Sequence, residues 1–294
     1  MTWRVPSKDY ALQNRSLRDE LLGAVERVLL EDDPILGEEL GRFEREFADY
    51  LGVPRVVGVG SGTDALVLAL RGLGVGPGEE VVVPAHTFVA SITAVVMAGA
   101  RPVLVDVEEE SALLSPAAAG AAAGSRTKAL LPVHLYGRPC DGPGFASLAR
   151  RRGLLLIEDA AQAHGAEVGG RRAGAFGDAG CFSFHPSKNL GAFGDGGAVA
   201  TSREDLAARL RILRNLGKTS KEDFDEVSGN AKLDTLQAAI LRVKLRRLEA
   251  GIARRGAIAA RYRDRLAGVG DLRLPPPEPE GSRAAWHLFV VRSA

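Results

Sequence analysis

Between Arg55 and Thr201 short apolar runs alternate with helical patterns, and this alternation limits the chain to few architectures. "RVVGVGSG", "EEVVVPA", "RPVLVDV", "TKALLPVHLYG" and "LLLIEDA" each read as a strand. "TDALVLALRGLG", "TFVASITAVVMAGA" and "GFASLARRRG" read as the helices between them, and "AGCFSF" and "GGAVAT" as two more strands. Short buried strands alternating with helices predict an α/β fold with a mostly parallel sheet covered on both faces. Upstream, Leu17, Leu21, Leu22, Val25, Val28 and Leu29 form the stripe of a helix over 16–31, and a second helix follows over 37–51. From Leu233 the pattern becomes one long, bent helix, then the Pro-rich "LPPPEPEGSRAA", then "WHLFVVRS" as a strand. A lone terminal strand lacks partners. The expectation is a large domain over 1–235 and a smaller C-terminal α/β domain over 236–294, incomplete at Ala294.

Charge narrows the function classes. Lysine and arginine total 38 against 37 acidic residues. A net charge of +1 gives no electrostatic reason to expect a nucleic acid or an anionic membrane as partner. Cys140 and Cys181 have neither metal-ligand spacing nor a disulfide framework, which fits a cytoplasmic location. His86, His134, His185 and His287 are scattered, so no metal site is expected. The N-terminus lacks the basic start and apolar run of a leader peptide, and no apolar run is long enough to span a bilayer.

In a parallel sheet, ligands bind beyond the carboxyl ends of the strands. Four segments put reactive groups there. In "GVGSGTDAL", Ser61, Gly62 and Thr63 lead a strand into a helix, where free N–H groups favour a phosphate. A plain N-cap is the equal alternative. In "LLLIEDAAQAHGA", Asp159 ends an apolar strand beside Glu158, with Gln162 three residues on. Such a carboxylate needs a cationic or hydrogen-bonding partner; taken alone, it reads as a helix cap. His164 reads as a structural histidine. In "FSFHPSKNLGAFGDGGAVAT", Ser183 and Lys188 follow a strand, and a desolvated lysine there can form a Schiff base; taken alone, Lys188 reads as an ordinary solvated lysine. In "PAHTFVAS", Phe88 stands where a strand meets a helix, able to stack on a flat ring or to be core. A phosphate anchor, an anion for a ring nitrogen, an aromatic cover and an amine together describe the partners of pyridoxal 5′-phosphate (PLP).

"SGTDAL", "TKALLPVHLYG", "IEDAAQAHGA", "GDAGCFSFHPSKNLGAFGDGGAVAT" and "GNAKLDTLQAAIL" resemble the DegT/DnrJ/EryC1/StrS family of PLP-dependent sugar aminotransferases. The resemblance runs from "ILGEELGRFEREFADYLGV" to "AWHLFVVRS" and implies a fold-type I, aspartate aminotransferase-like transferase. It assigns Lys188 to covalent attachment of the cofactor and Asp159 to the pyridinium nitrogen. Gln162 matches a residue near the ring oxygen, and Gly62, Thr63 and Ser183 match phosphate-binding positions. Phe88 matches the aromatic cover. Asn230 matches an asparagine that reaches the cofactor phosphate of a neighbouring subunit, which implies a homodimer with shared sites. Relatives with histidine in place of Lys188 are dehydratases, so Lys188 implies transamination.

The implied substrates are a dTDP- or UDP-linked keto-deoxyhexose and an amino-acid donor, glutamate. Aminotransferases of cyclitols, and a non-catalytic or regulatory protein on the same fold, are the alternatives. Gly229 and Lys232 depart from the family's usual aromatic and arginine. The basic "RVKLRRLEAGIARR" reads as a solvated helix face, with Leu241, Leu245 and Leu248 at helical spacing; contact with a sugar-nucleotide diphosphate is the minor alternative. Tyr136 reads equally as pocket wall or structural residue, and Gly37 as a turn near the site's mouth.

Overall fold

The apolar runs become one seven-stranded sheet. The computed structural model describes residues 9–293; residues 1–8, which open the segment read as no leader peptide, and Ala294 lie outside the described residues. The strands are β1 (Arg55–Val59), β2 (Glu80–Pro84), β3 (Arg101–Val105), β4 (Thr127–Leu130), β5 (Leu155–Asp159), β8 (Ala179–Ser183) and β9 (Gly197–Thr201), in the order β1-β9-β8-β5-β4-β2-β3. All pairings are parallel except those of β9, which runs antiparallel to β1 and β8. The expected mostly parallel sheet is therefore present, with one inverted strand. Short strands β6 (Glu167–Val168), β7 (Arg171–Arg172) and β10 (Ser282–Arg283) form a separate small sheet.

Alternation along each strand sends neighbouring side chains to opposite faces. Val57, Ile157 and Cys181 pack on one face, with helices α4 (Gly62–Gly72), α5 (Val89–Met97) and α8 (Glu204–Leu213). Val56 and Phe182 pack on the other, against α3 (Glu38–Leu51), α9 (Thr235–Leu245) and α10 (Leu248–Leu266). There Phe47 meets Phe182 and Phe184 edge-on at 5.1 and 5.5 Å. Leu156 packs with α6 (Pro116–Ala122) and α7 (Gly142–Arg152). Helices α1 (Tyr10–Arg15) and α2 (Arg18–Glu31) precede α3, and α2 packs on α9. Side chains set several helix starts: Ser115 caps α6 ahead of Pro116, and Asp141 caps α7 by accepting from Gly144 N–H. Gly52, left-handed at φ 70°, ends α3.

Two expectations fail. The long helix after Leu233 is two helices, broken at Arg246 and Arg247. Its leucines stay in phase across the break, so periodicity conceals it. The basic residues there are largely used within the chain: Arg242 pairs with Glu39 and Glu46, and Arg246 and Arg247 pair with Glu20. "WHLFVVRS" is not a strand. Trp286 has φ 47°, and its flanking N–H groups go to scattered acceptors: Ala285 to Gly137, Leu288 to Tyr136 and Arg292 to Arg273. A strand needs one continuous partner edge, and this segment has none.

A buried ion pair fixes β1 against the helices. Glu44 of α3 accepts from Gly58 N–H at 2.9 Å and from Arg214, whose Nη1 also donates to Gly58 O at 2.8 Å. Removing one partner of such a pair strands a buried charge. Glu44→Ala should lose about 3–5 kcal/mol of stability by urea denaturation.

His164 lies between Phe182 and Phe184, fully buried. Burial, then the charges of Lys188 and His287, push its imidazole from 6.5 down to about 3. Between those values the unfolded chain holds a proton that the folded chain lacks, so this residue makes stability fall as pH drops through that window. His164→Leu should flatten the fall, seen by comparing denaturation midpoints at about pH 7 and pH 4.5 with the parent protein.

Candidate active site

A cavity of about 330 Å³ opens at the carboxyl ends of β5 and β8, beside the turn from β1 into α4. Its wall includes Gly62, Thr63, Phe88, Asp159, Gln162, Ser183 and Lys188, seven of the eight residues predicted to bind or act.

The turn into α4 brings the start of a helix to the cavity. Ser61 is the N-cap, its Oγ accepting from Asp64 N–H at 3.0 Å. The cap therefore uses Ser61 and leaves Thr63 on the cavity wall. Gly62 and Thr63 begin the helix, so their N–H groups have no acceptor within it. A Cβ on Gly62 would lie 2.6 Å from the Cβ of Ser183, and one on Gly197 would lie 2.2 Å from Ser61 O. Both glycines are required for the turn to close on the end of β8.

Asp159 ends β5 and is 5% exposed. Its Oδ2 accepts from Ser91 Oγ at 2.7 Å, and its Oδ1 from Ala161 N–H at 3.1 Å. Thr87 Oγ1 lies 2.9 Å from Ser91 Oγ and extends the chain of hydroxyls. The carboxylate is thus oriented by α5 and by its own turn. It does not cap a helix, the reading it invites in isolation. Gln162 Oε1 accepts from Tyr136 N–H at 2.7 Å, which fixes the amide's orientation and leaves Nε2 as its donor.

Lys188 sits on the loop after β8. Its N–H returns to His185 O at 2.8 Å, and His185 N–H donates to Ser183 Oγ at 3.3 Å. Phe88 is the N-cap of α5 and 65% exposed, so it is a rim aromatic and not core.

Asn230 lies outside this cavity. It is exposed, bridged to Asn215, and its Oδ1 accepts from Lys232 Nζ. Tyr136 is also off the wall; it holds φ 61°, and its hydroxyl lies 2.9 Å from His86 Nε2. Gly37 precedes α3, donating to Thr235 Oγ1 at 3.0 Å, and takes no part in the cavity. Ser91 and Asp195 belong to the site's surroundings without having been singled out from sequence. The only hint for Ser91 is its place one turn after Phe88; for Asp195 it is the "GDGG" loop. No group of three or more His, Cys, Asp or Glu among the described residues can hold a metal ion.

The sequence pattern of the DegT/DnrJ/EryC1/StrS aminotransferase family matches residues 15–294. A relative from Streptomyces venezuelae, dTDP-3-amino-3,4,6-trideoxy-alpha-D-glucose transaminase, is 50% identical over 292 residues, covering 99% of this chain and 77% of its own. The crystal structure of S. venezuelae DesV in complex with a ketimine intermediate superposes with a TM-score of 0.96 at 50% identity, over 99% of this chain and 78% of that one. Bacillus subtilis NtdA with bound cofactor PMP gives a TM-score of 0.86 at 32% identity, over 100% of this chain and 68% of that one. The chain belongs to the DegT/DnrJ/EryC1/StrS aminotransferase family.

Proposed function

We propose that this chain transfers an amino group from glutamate to a dTDP- or UDP-linked keto-deoxyhexose, in amino-sugar biosynthesis. The observation that carries the reading is the convergence of Lys188, Asp159 and the Ser61–Thr63 turn on one cavity. The donor set fits PLP. Unpaired N–H groups at a helix start and the Ser183 hydroxyl suit a phosphate. The buried, hydroxyl-held Asp159 suits a protonated ring nitrogen, and Phe88 offers a stacking face.

The cofactor, when bound, supplies an aldehyde for covalent attachment and a ring that withdraws electrons from the reacting carbon. Lys188 Nζ holds the cofactor and then moves the proton, first off the donor's α-carbon and later onto the sugar carbon. Asp159 keeps a proton on the ring nitrogen, and the Ser91 and Ala161 hydrogen bonds hold its carboxylate in the orientation this needs. Gly62, Thr63 and Ser183 anchor the phosphate. Gln162 Nε2 donates toward the ring oxygen.

Asn230 belongs to a different site in this reading. Its Oδ1 is occupied by Lys232, which leaves Nδ2 to donate to an anion, and it is not part of its own chain's cavity wall. Both features suit contact with a second copy's phosphate, hence a homodimer. A Cβ on Gly229 would meet nothing within 4 Å, so no close backbone approach in this chain requires glycine there. The large domain ends near residue 235 in this reading. The two buried free thiols, Cys140 and Cys181, suit a cytoplasmic location. No helix among the described residues is long and apolar enough to cross a membrane.

Purified protein should carry a visible cofactor band that bleaches with glutamate. Lys188→Ala should abolish both the covalent attachment and the bleaching; a band that persists unchanged defeats the reading. Asp159→Asn should keep the cofactor but slow the glutamate half-reaction by about 10²–10³-fold in stopped-flow absorbance. Gly62→Ala should push Ser183 aside and weaken cofactor binding about tenfold or more, seen by equilibrium titration, with the fold intact by circular dichroism.

A further inference from the structure

The turn after β5 carries two of the proposed cofactor contacts, Asp159 and Gln162, within four residues. Its near end is fixed by the strand. Its far end is Gly165, held by groups that the reading above leaves idle. Gly165 has φ 84°, and a Cβ there would lie 2.1 Å from Ile252 Cδ1 and 2.6 Å from Tyr50 Oη. The peptide is thus packed against α3 and α10, and its carbonyl accepts from two arginines. Arg172 Nη1, from β7, and Arg283 Nη2, from β10, each donate to Gly165 O at 3.1 Å.

The arginines are themselves held. Glu249 of α10 lies 3.0 Å from each of them, and Glu167 of β6 lies 3.1 Å from Arg172 and 3.4 Å from Arg283. Tyr50 of α3 donates to Glu249 at 2.6 Å, and its ring centroid is 4.7 Å from the Arg172 guanidinium. A planar fork of several donors can pair with both carboxylates and still reach a carbonyl. Two cations meet two carboxylates, so the cluster is neutral and reads as a clamp, not as an anion site. We propose that Arg172 and Arg283 are positioning residues for Gln162: by holding Gly165 O three residues on, they aim the amide Nε2 at the cofactor's ring oxygen. The proposal rests on the reading of Gln162 above. Tyr136 N–H fixes the amide's acceptor end, and the arginines fix the backbone that carries it. Glu249 and Arg283 come from the chain beyond residue 235, so that segment shapes the cofactor site without lining it.

The pH at which the visible cofactor band changes reads the ring oxygen, where Gln162 donates. In the PLP-loaded protein, Gln162→Leu removes that donor and should move the midpoint by about half a unit or more. Arg283→Met should move it the same way by less, and in the Gln162→Leu background should move it no further. An equal shift in both backgrounds, or none in either, overturns the proposal. Hydrogen exchange in the cofactor-free protein reads the anchor alone. Arg283→Met should speed exchange over residues 161–166 about tenfold, with distant segments at parental rates. Parental exchange over that turn also overturns the proposal. Should Arg283→Met not fold, Arg172→Met carries the same readouts and decides. A parental midpoint in Gln162→Leu defeats the reading of Gln162 and the proposal with it. With Gln162→Leu shifted, a silent Arg283→Met defeats the proposal alone.

Discussion

The site depends on a carboxylate that never reaches it. Glu158 is 1% exposed at the end of β5 and accepts four hydrogen bonds. Gly174, Phe176 and Gly177 N–H donate at 2.9, 2.7 and 2.9 Å, and His134 Nε2 lies 2.9 Å away. His134 Nδ1 accepts from Cys140 N–H, so the ring proton sits on Nε2 and points at Glu158. A buried carboxylate is tolerated only when satisfied in this way. The result ties the loop before β8 and the loop after β4 to one point on β5. Strand alternation then directs the next residue, Asp159, to the opposite face, where the cavity is. The two acids adjacent in sequence thus divide the work: one holds the loops, the other faces the cavity.

The cavity's shape follows from where the chain lacks side chains. Gly180 packs so tightly that a Cβ would lie 1.9 Å from Gly174 O, and Gly177 has Leu156 O at 2.3 Å. These close approaches deliver the backbone N–H groups that Glu158 accepts. On the far side, Gly62 and Gly197 let the Ser61 turn lie against Ser183. The inverted strand β9 carries Gly197 into that contact and makes β1, first in the chain, a neighbour of the lysine-bearing segment.

Much of this was legible in the sequence because local pattern and global fold agree. Strand runs, glycine turns and strand-end polar residues all follow from short-range rules, and seven predicted residues meet in one cavity. Legibility ended where the deciding partner is distant. The break between α9 and α10 has no proline or glycine, and the leucine phase runs through it. "WHLFVVRS" has strand composition, but its backbone partners are scattered over Tyr136 and Arg273. Ser91 is one small residue in an apolar helix; only the fold puts its hydroxyl on Asp159. Arg255 sat in a basic run that composition treats as surface, and only the fold turns its guanidinium onto the carbonyls of Trp286 and His287.

Helix α9, where that basic run begins, also explains how the glycine-rich loop after Lys188 is held. Gln237 Oε1 accepts from Phe193 N–H at 2.8 Å. Lys244 Nζ donates to Gly191 O at 2.6 Å and lies 4.3 Å from the Phe193 ring centroid. Burial pushes this ammonium down to about 8, so its charge is held at a cost that only a firm set of partners offsets. Helix α9 therefore grips the loop at two successive points, from a face whose sequence looks merely solvated. The grip also couples regions far apart in the chain. Arg242 on α9 pairs with Glu39 and Glu46 of α3, while Glu44 of α3 reaches through Arg214 to β1. The lysine loop and the Ser61–Thr63 turn are thus referenced to the same helix pair. Their separation is set by rigid elements, although both groups sit on loops.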